Sequence, residues 1–263
     1  MGERKKYHRG RRKKKKGGII STLILIIAIA VFCVSGYQLY KIFGGYHQGK
    51  SEYDKVREVA VHGDDKDEDE FVVDFDELKK INADTVGWIR FYPEPSQISY
   101  PLVQTTDNDL YLNRTFSANE NTVGAIFVNC DNASDFSDRN TIIYGHRMKD
   151  HSMFHDLEKY EDESFWKENP YYYIYTPDGR KLTCHIYSAG IVKDTSSTYL
   201  TQFASDEEYQ AFLDDTKRAG AYHTDVEVTT DQRVVTLSTC TAASDDNRMV
   251  VRGVIESEDV VKK

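Results

Sequence analysis

Residues 1–16 carry ten basic side chains and one acid, and from Ile19 to Val34 the chain is apolar apart from Ser21 and Thr22, with no charge until Lys41. About 20 such residues span a bilayer, and a basic cluster just before them marks the cytoplasmic side. The pattern predicts an uncleaved signal anchor rather than a cleaved leader, because no clear A-x-A site closes the run. A basic tail (1–18), an anchor with its flank (19–43), an acidic extracellular stalk (44–70) and a catalytic domain (71–263) are expected in that order. The protein would then sit in the cell membrane as a single-pass chain, its N-terminus in the cytoplasm and its C-terminal domain outside.

Beyond the tail, 24 basic residues face 42 acidic ones. A surface that acidic repels phosphate backbones, so nucleic acid is excluded as a partner. The 263 residues include 18 Tyr and 12 Phe, a content that favours strands. Runs of β-branched and aromatic residues predict strands at 86–91, 100–103, 124–129, 141–144, 171–175, 181–192, 233–238 and 249–255. Helices are expected near 75–81, at 153–160 and at 206–218, with a short one at 53–61 and a single turn at 108–112. Eight strands with few peripheral helices point to a mainly β fold, a closed or nearly closed barrel.

Three cysteines, Cys130, Cys184 and Cys240, fall outside the anchor. The number is odd, so at least one is either free or paired between chains; a Cys130–Cys184 disulfide with one spare is the plain expectation, and a thiol kept free to react the sharper one. The segment Arg233–Cys240 reads as a buried strand ending in cysteine, and Thr241–Asn247 as a polar turn into the strand that starts at Arg248. An antiparallel pairing returns Arg248 to Cys240, where a guanidinium favours thiolate and can donate to an oxyanion. His146 follows another strand, Thr141–Tyr144, next to Gly145, where it can exchange protons with an amine.

Together these segments are specific. Thr-Leu-Ser-Thr-Cys ending at Cys240, Arg248 eight residues on, and Asn140 to Lys149 (Asn-Thr-Ile-Ile-Tyr-Gly-His-Arg-Met-Lys) resemble the class B sortases, membrane-anchored transpeptidases of Gram-positive bacteria. The likeness runs from about Phe71 to Ile255, through Val86–Ile89, Tyr100–Gln104, Asp107–Leu112 and Ser152–Phe154. It implies an eight-stranded sortase-type barrel after a single transmembrane helix, with Cys240, His146 and Arg248 as catalytic residues. By position it places Asn108, Leu112, Thr195, Tyr199 and Leu200 in a groove for a peptide sorting signal; Ser238, of the same strand parity as Cys240, is expected to face it, with Thr239 beside it. Surface proteins bearing such a signal, of NPxTN or SPxTG type, are the implied partners, with a peptidoglycan amine as acceptor. One departure is Thr241, where some members carry Glu.

The exchange is amide for amide, so no cofactor is expected. No metal is expected either: His146, His151 and His155 are spaced by five and four, but no H-E-x-x-H pattern and no obviously spaced carboxylate or Cys completes a site. An extracellular cysteine hydrolase using water, and a non-enzymatic ectodomain stapled by Cys130–Cys184, are the alternative readings.

Overall fold

A computed structural model describes residues 17–63, 70–241, 244 and 246–261, with only the backbone of residues 17–20 and 42. The basic tail and most of the acidic run at 63–70 lie outside the described residues. The chain divides into two compact units, up to Gly44 and from Gly45. Helix α1 (Gly17–Ala60) includes a stretch long and apolar enough to cross a membrane. Its last part belongs to the second unit, where Tyr53, Val56 and Ala60 enter the hydrophobic core. Residues 45–60, expected in the stalk, are therefore part of the folded domain: Tyr53 and Val56 sit one turn apart and share the buried face. A two-residue ladder, Val61–His62 with Val72–Val73, closes the segment around the acidic run.

Eight strands form a closed barrel. They are β1 (Thr85–Phe91), β2 (Ser99–Val103), β3 (Ile126–Val128), β4 (Asn140–Tyr144), β5 (Tyr171–Tyr175), β6 (Arg180–Lys193), β7 (Val234–Cys240) and β8 (Asn247–Val260). Around the barrel the order is β8-β6-β5-β1-β2-β3-β4-β7, with β7 closing onto β8. Two neighbours, β2 with β3 and β4 with β7, run parallel. Near-continuous burial of β7, six of its seven residues, fits a parallel partner and cover on both faces. Helix α2 (Phe75–Ile81) is capped by Asp74, whose side chain accepts from the Glu77 amide at 2.9 Å. Helix α4 (Asp206–Arg218) is capped by Ser205 and buries Tyr209, Phe212, Leu213 and Thr216 along one stripe.

Differences from expectation are local. The helix expected at 153–160 is a 3₁₀ segment, His155–Glu161. Met153 has φ +57° and pairs with Arg147 in an isolated bridge, so no α-helix can start there. Helix α3 (Glu163–Glu168), capped by Asp162, follows at once and was not expected. The strand expected at 124–129 is trimmed to β3, because Gly124 turns the chain with φ +66°. The expected Cys130–Cys184 disulfide is absent, and both thiols are free. Cys184 is buried on β6, beside the position a Cβ on Gly253 would occupy, whereas Cys130 follows β3, which is not a neighbour of β6 in the barrel.

Candidate active site

The parallel pairing of β4 with β7 sets Tyr144 beside Ser238, and the Gly145 amide extends the ladder to the Ser238 carbonyl at 3.1 Å. Two residues further along each chain come His146 and Cys240. Strand parity is thus kept on both sides, and the two side chains emerge from the same end of the barrel. On the other flank of β7, the antiparallel register pairs Arg248 directly with Cys240. Cys240 is the one exposed residue of β7. All three line one groove of about 230 Å³, together with Asn108, Leu112, Phe127, Tyr144, Gly145, Ser238 and Thr239.

His146 and Arg248 are held from behind. His146 Nε2 lies 2.6 Å from the Leu112 carbonyl oxygen, so this nitrogen carries the hydrogen and Nδ1 is the one left for proton exchange. The contact requires Gly124, where a Cβ would come within 2.7 Å of His146 Cδ2 and 2.9 Å of the Leu112 oxygen. The Gly124 carbonyl in turn accepts from Tyr53 Oη at 2.7 Å, and Tyr53 accepts from the Phe116 amide. Gly145 likewise leaves room for Phe154, whose ring would lie 2.6 Å from a Cβ there. Arg248 donates from Nη1 to the Asn247 carbonyl at 3.0 Å, and its Nη2 is 3.9 Å from Asp194 Oδ2.

The groove wall is a polar network. Asn108 Oδ1 accepts from the Cys130 amide at 2.9 Å, and Asn129 Nδ2 donates to Tyr144 Oη at 3.2 Å. Tyr199 stacks on Tyr144 with ring centroids 6.2 Å apart and shares a 2.9 Å hydrogen bond with Ser238 Oγ. Burial pushes the Tyr144 hydroxyl up to about 12 and raises that of Tyr199, so both remain neutral hydrogen-bonding groups near pH 7. Thr239 is buried with an unpartnered Oγ1. The other thiols are held back: burial drives Cys184 up to about 12, and desolvation with nearby Asp131 raises Cys130.

Of the residues expected in the groove, Asn108, Leu112, Ser238 and Thr239 line it, while Tyr199 touches it through Ser238. Thr195 and Leu200 are exposed and do not line it. Phe127, Tyr144 and the Leu112 carbonyl were missed. The parity of Tyr144 with His146 was a usable signal; a backbone carbonyl has none. His151 and His155, set aside for want of a carboxylate, do have one beside them in Asp156, and His146 is not part of that cluster.

A family profile described as "Sortase domain" matches residues 94–256. Sortase B of Staphylococcus aureus is 32% identical over 219 residues, covering 83% of this chain and 88% of the relative. The solved Staphylococcus aureus sortase B–substrate complex superposes with a TM-score of 0.65 at 35% identity, covering 72% of this chain and 85% of that one. A sortase B complexed with triglycine matches with a TM-score of 0.65 at 34% identity, over 72% and 86% of the two chains.

Proposed function

The chain belongs to the class B sortases, cysteine transpeptidases of cell-wall sorting, and on that premise we propose that it cuts a peptide sorting signal after Thr and passes the acyl group to an amine. The observation that carries this reading is the shared groove of Cys240, His146 and Arg248, with Arg248 opposite the nucleophile in the ladder.

Cys240 Sγ, its proton passed to His146 Nδ1, attacks the Thr carbonyl carbon, and the oxyanion that develops is met by the Arg248 guanidinium. His146 hands a proton to the departing amine as the C–N bond breaks, leaving a thioester on Sγ. An incoming amine loses a proton to His146 as it attacks that thioester, forming a new amide and freeing the thiol. Asn108 and Leu112 flank the path of the signal. An NPxTN- or SPxTG-like signal and a peptidoglycan amine are the proposed substrates; the complexes of relatives with substrate and with triglycine support a sorting-signal substrate and an amine acceptor in general. The domain is proposed to face outward, anchored by the apolar part of α1, with the basic tail inside.

The test incubates the full chain in detergent with LPxTG-, NPxTN- and SPxTG-like peptides and triglycine. An amide-linked product and a trapped thioester on Cys240 are expected. Free acid alone in excess amine would reassign the protein as a hydrolase. Protease applied to intact cells should digest the C-terminal domain and spare an N-terminal tag; the reverse pattern overturns the topology.

A further inference from the structure

Five residues past His146, outside the groove, His151, His155 and Asp156 bring one ligating atom each within 4.8 Å of one another. His151 Nδ1 lies 3.2 Å from Asp156 Oδ1. A tetrahedral zinc ion with bonds of about 2.0–2.1 Å has ligand-to-ligand edges of roughly 3.3–3.4 Å, close to that separation. The imidazole rings of His151 and His155 are 4.0 Å apart between centroids. Asp156 is buried, and its other oxygen, Oδ2, accepts from Lys159 Nζ at 2.9 Å. This is the outer contact that orients a ligating carboxylate.

A metal-free His–Asp–Lys ion network explains most of these contacts, but not His155. Its Nδ1 is sealed from solvent with no hydrogen-bond partner, an arrangement that is unfavourable unless something occupies the lone pair. We propose that His151, His155 and Asp156 bind a zinc-class divalent cation, with water in the fourth position on the side where His151 is exposed. Two imidazoles and one carboxylate are a borderline donor set; calcium and magnesium would ask for six or more oxygens. The bound ion cross-links the 147–156 loop. That loop is tied to the groove, since the Phe154 amide donates to the His146 carbonyl at 2.9 Å and Arg147 pairs with Glu158. The site is therefore a brace beside the groove, and the ion takes no part in bond making.

The test uses the full chain in detergent, carrying Cys240→Ser so that the groove thiol does not compete, stripped with chelator and titrated with Zn²⁺ against a chromogenic chelator. One tightly held equivalent is expected, and His151→Gln and His155→Gln should each weaken it at least 10-fold. Co²⁺ in its place should give visible absorption that His155→Gln removes. No competing equivalent, or one whose affinity survives the double variant, overturns the proposal. If the variants fail to fold by circular dichroism, hydrogen exchange of residues 147–156 in the Cys240→Ser chain decides. Slowing by one equivalent of Zn²⁺ supports the site, and unchanged exchange refutes it.

Discussion

Arg248 and Cys240 were legible because both sit at strand ends, where a tight antiparallel return makes spacing into distance. The oxyanion role proposed for Arg248 rests on its planar fork, which Lys lacks. Arg248→Lys should lose roughly 10²–10³ in kcat with little change in peptide affinity, the scale for removing one oxyanion donor. Steady-state transpeptidation by the folded variant checks this, and near-normal kcat would leave charge alone as the requirement. The thiols make a second forecast. Cys240 is exposed, whereas Cys184 is buried and burial pushes its thiol up to about 12, so it stays protonated at pH 8. Iodoacetamide pulses with mass mapping should label Cys240 first and spare Cys184 until denaturant is added. Rapid native labelling of Cys184 would contradict its burial. What could not be read was the Leu112 carbonyl behind His146, because every residue carries the same backbone oxygen and only the fold aims it.

Elements were legible where side-chain chemistry alone decides them. The β-branched and aromatic runs of β5 and β7 and the apolar stripe of helix α4 fall where residue types put them. The 147–161 segment escaped, because left-handed backbone at His151 and Met153 leaves no mark in residue types that ordinarily avoid it. Gly124 belongs to this scale, as the pivot between the Tyr111–Leu112 turn and β3. Gly124→Ala would put a methyl side chain at φ +66°, costing about 1–2 kcal/mol in backbone strain, and would press on the His146 ring. Displacing an acid–base group by about 1 Å can cost 10²-fold in rate. The variant should therefore fold, by circular dichroism, yet lose at least ~10-fold in kcat. Unchanged kcat would show that the imidazole does not need this clamp.

At the scale of the whole molecule, the barrel was visible as eight strands, but its lower boundary was not. Composition marks residues 45–60 as polar and stalk-like; only packing reveals that three of them are core. A chain starting at 71 lacks the buried Tyr53 and Val56, each worth about 1.5–3 kcal/mol of apolar burial. At about 2–4 °C per kcal/mol for a domain of this size, its Tm should lie at least ~6 °C below that of a chain starting at 45. Equal melting temperatures by calorimetry would show that the helix merely leans on the domain. The Tyr53 contact carries a further consequence. A protease that clipped the acidic run at 64–69 and let the helix drift off would not shed a working enzyme. It would strip the Gly124 carbonyl and the Phe116 amide of their shared partner and open an apolar seam beneath the turn that holds His146. Release from the cell surface would then be a form of inactivation, with the catalytic machinery intact in sequence and unsupported in space.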